Sequence, residues 1–236
     1  MQFNKHSQTY HSQSFLQRFT AQSLMNKLYL MQSPKNILEI GCGSGNLTKI
    51  INHKYPESNL YALDISPKML QIIQNNKKLM KNNIYFAADA CKIVTKKKVD
   101  LLLSNMTMQW IDTLEDSLIK LSKICKNMAI SILIEGSLKN WNNLYKLYGH
   151  KSPVLNFPTT NNLYKIFAKL GLKNQIITEQ VTHFFIKPIY FAKQIKLLGA
   201  YNKLNDCYGL LKIIKNYTQS IEIEYNIAYC LLWNTF

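Results

Sequence analysis

Residues 36–45 read Asn36-Ile37-Leu38-Glu39-Ile40-Gly41-Cys42-Gly43-Ser44-Gly45. The run from Asn36 to Ile40 is short and mostly apolar, as a buried strand requires, and Ser44 to Lys54 that follows has helical character. Glycines between strand and helix let the backbone turn sharply and approach a ligand with no Cβ in the way. A dinucleotide-binding GxGxxG would put its third glycine at position 46, where this chain has Asn46. The competing reading is a tight turn of purely structural use.

Outward from that turn, strands and helices alternate. Apolar spacing at Phe15, Leu16, Phe19, Leu24 and Leu28 predicts a helix over Ser14–Met31. Downstream, Leu60–Leu63 reads as a second strand closed by Asp64, and Ser66-Pro67 as the N-cap and first turn of a helix that turns Met69, Leu70 and Ile73 inward. Ile84–Ala87, Val99–Leu103 and Met128–Ile134 read as further strands, with an amphipathic helix over Glu115–Cys125. Such alternation predicts an α/β fold, a doubly wound and mostly parallel sheet covered on both faces. After Gly136 helices are expected at 138–148, 160–170 and 189–199, and long strands at 176–185 and 220–232. The last two suit an antiparallel pair whose partners the sequence leaves open.

The run ExGxGxG at 39–45 resembles the fingerprint of class I S-adenosylmethionine-dependent methyltransferases. That cofactor has no pyrophosphate; its cationic amino-acid end and ribose must be held, which suits an acid just before the glycines. The resemblance implies a seven-stranded sheet with an antiparallel terminal strand, an N-terminal helical lid (1–33), a cofactor-binding core (34–136) and, after the fifth strand, a helical insertion and terminal strands facing the substrate (137–236). Asp64 ends the second strand, where a carboxylate can accept both ribose hydroxyls; its rival role is to cap the next helix. Asp89 follows the third strand and can accept from the adenine amino group. Asn105 ends the fourth, where the reacting methyl is expected, or else is a turn residue. The cofactor shell so implied comprises Tyr10, Gln17, Glu39, Gly41, Cys42, Gly43, Gly45, Asp64, Ile65, Met69, Asp89, Ala90 and Asn105.

A narrower resemblance runs nearly end to end. Phe3, Tyr10 and Leu16-Gln17, then Ser104-Asn105-Met106-Thr107-Met108-Gln109-Trp110, Gly136-Ser137-Leu138, Lys196-Leu197-Leu198-Gly199-Ala200 and a terminal strand with Tyr225 are similar to malonyl-[acyl-carrier protein] O-methyltransferases, which open pimelate synthesis for biotin. Quinone and sterol methyltransferases share part of these tracts. The resemblance implies methylation of the free carboxylate of a malonyl thioester on the phosphopantetheine arm of an acidic acyl carrier protein, with S-adenosylhomocysteine as co-product. A carboxylate is ionised near neutrality, so its methylation asks for alignment and desolvation, and for no general base. Tyr10, Gln109 and Asn105 are the candidate catalytic groups. Trp110 is a pocket wall or a core residue; Lys196 and His11 are candidates for meeting the acceptor or its carrier. Tyr10 has core packing, and Lys196 a solvated helix face, as rival readings.

Composition bounds the rest. The chain has 236 residues, 47% of them hydrophobic, enough to bury a core without staples. Its polar start lacks a secretory h-region, and its apolar runs fall short of a membrane helix. Five cysteines, widely spread and never in a CxxC pair, fit a reducing compartment, so a cytoplasmic enzyme is expected. None of the five histidines has metal-ligand spacing, and no metal is expected. The net charge is +16, yet of 29 basic residues only Arg18 is an arginine. A nucleic-acid reader favours arginine forks, so part of the charge reads as compositional drift; the remainder is a positive field that draws acidic partners. A monomer with no stable nucleic acid and no membrane is expected. The alternatives left open are a C- or O-methyltransferase of a quinone or lipid precursor and an RNA methyltransferase or RNA-binding module.

Overall fold

The computed structural model describes residues 13–29, 32–76, 79, 83–198 and 207–234. In the sheet, β1 (Asn36–Ile40) is central, with β2 (Asn59–Asp64) and β3 (Asn83–Ala87) on one side and β4 (Val99–Asn105) and β5 (Cys125–Leu133) on the other. These five strands run parallel. β7 (Ile221–Trp233) lies antiparallel between β5 and the edge strand β6 (Lys173–Phe185). The order β3-β2-β1-β4-β5-β7-β6 reverses at β1, and a doubly wound sheet binds ligands at such a reversal, outside the carboxyl ends of the strands.

The period of two along each strand sorts the core. Ile37, Leu101, Leu103 and Ala129 point to one face, where they meet α1 (Phe15–Lys27), α2 (Asn46–Lys54), α3 (Pro67–Gln74), α5 (Lys139–Leu147), α7 (Pro188–Leu198) and α8 (Cys207–Asn216). Leu38, Ile40, Leu102 and Met128 point to the other, against α4 (Leu114–Lys123) and α6 (Thr160–Ala168). The same alternation, with the registers Ile40↔Ser104 and Asn105↔Ser131, puts Glu39, Asn105 and Ser131 on the α1 face.

Local signals behave as the chain predicts at several ends. Ser66 accepts from the Met69 N–H at 3.4 Å with Pro67 in the first turn. Thr159 does the same for Asn162 at 3.0 Å. Three expectations shift. The α4 helix stops at Lys123, and Cys125, expected in it, opens β5 paired with Val99. α8 had no reading in the sequence, because Gly209 and Ile213-Ile214 weaken its helical signal. β6 begins earlier than the expected 176 and reaches 13 residues, matching the 13 of β7, in register from Lys173↔Trp233 to Phe185↔Ile221.

α1 is packed into the core and is not a detached cover. Ala21, Leu24 and Met25 are buried. Lys54 Nζ caps its C-terminal end by donating to the Met25 and Leu28 carbonyls at 2.6 and 3.1 Å. Lys27 pairs with Glu179 of β6 at 3.2 Å. Among the described residues no helix is long and apolar enough to cross a membrane.

Candidate active site

The turn after β1 demands its glycines. Gly41 has φ +70°, and a Cβ built there would lie 2.1 Å from Thr107 Oγ1, so no other residue lets the β1 and β4 ends approach this closely. The Gly41 and Cys42 N–H groups both donate to the Leu63 carbonyl, at 2.8 and 3.0 Å, fastening the loop to β2. Gly45, φ +85°, begins α2.

Asp64 closes the second strand and is buried. Its Oδ2 accepts from the Gly43 N–H at 2.9 Å and its Oδ1 from the Ser66 N–H at 2.8 Å. Each oxygen keeps a lone pair for a hydroxyl donor, so the helix-capping and ligand-binding readings of this residue are compatible. Burial raises its pKa, and the two backbone bonds oppose the rise.

Glu39 is 1% exposed. Thr48 Oγ1 donates to its Oε2 at 2.7 Å, while its Oε1 has no hydrogen-bond partner among the described residues. Burial pushes its pKa up to about 8; the Thr48 bond opposes this and the charge of Asp64 adds to it. Burial likewise pushes the Cys42 thiol up. Beside Glu39 lies a cavity of about 20 Å³ whose lining includes Gln17, Gly41, Gly43 and Asn105. That is room for a group of water or ammonium size. Gln17 Oε1 is a second buried acceptor without a donor among the described residues.

The far wall is the end of β4. Asn105 Nδ2 donates to the Gln17 carbonyl at 2.8 Å, tying α1 to the sheet. Met106 sits at φ +54°, rare for a side chain of that size. Its N–H goes to Ser131, and its carbonyl accepts from Gln109 Nε2 at 2.9 Å. Asn46, at the position that separates this loop from GxGxxG, donates to Ser14 Oγ at 3.1 Å and so also holds the helix start.

The structure therefore gathers Gln17, Glu39, Gly41, Cys42, Gly43 and Asn105 around one cavity, with Asp64 one hydrogen bond away. Gln109, expected to face an acceptor, turns its amide into the Met106 turn. Asp89 caps the short turn of helix at Ala90–Lys92, accepting from the Cys91 N–H at 2.9 Å, with Lys92 3.9 Å away. Ala90 is half-buried and packs against the core on the α4 face. Met69 is buried in the core, whereas Ile65 next to Asp64 is 70% exposed. Trp110 is half-buried and Lys196 exposed in the last turn of α7. Tyr10 and His11 lie outside the described residues. Sequence reasoning missed Thr48, Ser14 and Ser131; of these, only Ser131 leaves a signal, a hydroxyl inside an otherwise apolar buried strand. A larger groove of about 680 Å³ shares no residue with the cavity; Lys49, His53 and Pro56 line it, towards the opposite ends of the strands.

A family model for a methyltransferase domain matches residues 38–133, from β1 to the end of β5. That span contains the glycine loop, Asp64 and Asn105 on a sheet reversing at β1. The chain carries the methyltransferase domain of an S-adenosylmethionine-dependent enzyme. The methyltransferase is similar along most of its length to malonyl-[acyl-carrier protein] O-methyltransferases. It is 28% identical to that of Ilyobacter polytropus over 257 residues, covering 99% of this chain and 96% of the relative. It is 28% identical to that of Coxiella burnetii over 238 residues, covering 96% and 92%. Solved structures with the same fold include YcgJ of Bacillus subtilis, with a TM-score of 0.67 at 13% identity over 92% of this chain and 99% of that one. A Haemonchus contortus phosphoethanolamine N-methyltransferase bound to S-adenosylhomocysteine scores 0.62 at 12% identity over 98% and 58%. The [4+2]-cyclase SpnF scores 0.61 at 12% identity over 93% and 81%. A cyclase on this scaffold shows that the fold by itself names no reaction. The methyltransferase's own residues fit the cofactor: two buried acceptors without donors among the described residues, Glu39 Oε1 and Gln17 Oε1, border an ammonium-sized space beside a backbone that only glycine permits.

Proposed function

We propose that this methyltransferase converts the free carboxylate of a malonyl thioester, carried on an acyl carrier protein, to its methyl ester. The observation that carries the proposal is the match over nearly the whole chain to relatives of that name, beyond the cofactor-binding half that all class I enzymes share. S-adenosylmethionine, when bound, supplies an electrophilic methyl group. Glu39 and Gln17 would accept from its ammonium, Asp64 from its ribose hydroxyls and Asp89 from its adenine amino group, and the exposed Ile65 would offer the ring an apolar surface. Trp110 belongs to the acceptor side; Asn105 and Gln109 act by holding α1 and the Met106 turn.

The titratable groups at the cavity suit a carboxylate acceptor. Burial keeps both Glu39 and Cys42 largely protonated at neutral pH, so neither is a ready base, and a carboxylate needs none. What the site contributes is alignment and dryness: Cys42 and Leu47 are buried in the cavity lining, and a site that excludes water strengthens an ionised nucleophile. The positive charge of the chain, with Lys187, Lys193 and Lys196 exposed around α7 and Gln194 of the same helix donating to the Gln13 carbonyl at 3.3 Å, suits an acidic carrier arriving at this side.

Incubation with malonyl-carrier protein and S-adenosylmethionine tests the proposal. The expected product is the methyl ester, with kcat flat above about pH 6 because the acceptor is already ionised. S-adenosylhomocysteine binding without ester formation, or a kcat that climbs with pH as for a phenol or carbon acceptor, would overturn it.

A further inference from the structure

Ser131 is fully buried in the middle of β5, in the run Ala129-Ile130-Ser131-Ile132. A hydroxyl there weakens an apolar strand unless its bonds are used, and they are. Its Oγ donates to Asn105 Oδ1 at 2.6 Å and accepts from the Met106 N–H at 3.1 Å; the Ser131 carbonyl accepts from the same N–H at 3.0 Å.

An asparagine amide can face two ways, and which way it faces is set by its neighbours. Here the Gln17 carbonyl, which can only accept, takes Nδ2 at 2.8 Å across the cleft, and the Ser131 hydroxyl, already accepting from the Met106 N–H, donates to Oδ1 and holds the amide in that orientation. Ser131, Asn105 and Gln17 thus form a three-membered relay from the sheet interior to the first turn of α1. At its end stands the Gln17 side chain, whose Oε1 is one of the two donor-less acceptors at the cavity.

We infer that Ser131 is a positioning residue: it orients the Asn105 amide, and through it fixes the start of α1 and the Gln17 acceptor beside the cofactor cavity. The inference rests on the cavity being the cofactor's. Ser131 touches neither cofactor nor acceptor; it acts through Asn105. If it only filled a polar space in β5, its loss would lower stability and leave ligand affinity alone.

The test is calorimetric titration of the purified full-length chain with S-adenosylhomocysteine, with the melting temperature of each variant measured alongside. Ser131→Ala is expected to weaken binding about tenfold, the worth of one buried hydrogen bond. Asn105→Ala is expected to weaken it at least as much, and the double variant no more than Asn105→Ala alone, because the two act in series. Asn105→Asp keeps the shape and the Ser131 bond but sets an oxygen against the Gln17 carbonyl; it is expected to weaken binding and to speed amide exchange at residues 17–21. It also serves if Ser131→Ala does not fold. Wild-type affinity in Ser131→Ala or in Asn105→Asp, or penalties that add in the double variant, would overturn the inference. No binding by the wild-type chain would overturn the cofactor reading itself, and the inference with it.

Discussion

From Gly41 to Asp64 the constraints on the cleft are mainly backbone ones: a left-handed glycine, paired N–H groups on Leu63, and a carboxylate bridging the Gly43 and Ser66 amides. From Asn105 to Ser131 they are side-chain ones: a hydroxyl, two amides and α1 meeting across the sheet. Local backbone geometry leaves marks in a few consecutive letters. Side chains that meet from positions 17, 105 and 131 leave none that are adjacent. The first wall is built from backbone and the second from side chains, and residues of both border the one cavity.

The sharpest way to break this comparison is Gly41→Ala. Its Cβ meets Thr107 Oγ1 at 2.1 Å in a left-handed conformation, so a loss of about 3 kcal/mol of stability or more is expected, with S-adenosylhomocysteine affinity down about 100-fold. Chemical denaturation and calorimetry check both. Near wild-type values would mean that the backbone wall yields as easily as the side-chain wall.

A second prediction concerns proton balance. The folded chain holds Glu39 at about 8 against an ordinary 4.5, so between those values the folded state binds more protons than the unfolded one. Stability is then lost as pH rises from about 4.5 through about 8. Asp64, also raised, acts in the same sense. Melting curves of the free protein should fall over pH 5–8.5, and Glu39→Gln should flatten part of the fall. An ammonium set beside Glu39 favours its ionised form, so wild-type affinity for S-adenosylhomocysteine, which carries that group, should rise over the same range, and in Glu39→Gln it should not. Parallel curves for the two proteins would remove Glu39 from the cavity's chemistry.

The smallest effect is expected from Asn46→Gly, which creates the dinucleotide-type GxGxxG spacing. It removes one partly buried bond to Ser14, so S-adenosylhomocysteine affinity should drop only about threefold, with no gain of nicotinamide dinucleotide binding. A gain would show that the third glycine alone sets ligand class.

Much of the fold was legible from the chain. Glu39 to Gly45 announces the loop, Ser66-Pro67 the start of α3, and the alternating strands the sheet. The ends of α4 and β5 were not, because Cys125 suits a helix end as well as a buried strand and only pairing with Val99 decides. α8 was hidden by Gly209 and its isoleucines. In the site, Asp64 and Asn105 were legible as strand-end residues. That Gln109 braces Met106 was not, since nothing in the sequence reports a positive φ at position 106.

The most direct test is a crystal structure with S-adenosylhomocysteine. The ligand is expected at the carboxyl ends of β1, β2 and β4, its ammonium between Glu39 and Gln17 and its ribose on Asp64. Density in the groove beside Lys49 and His53, or anywhere else away from the glycine loop, would contradict the account.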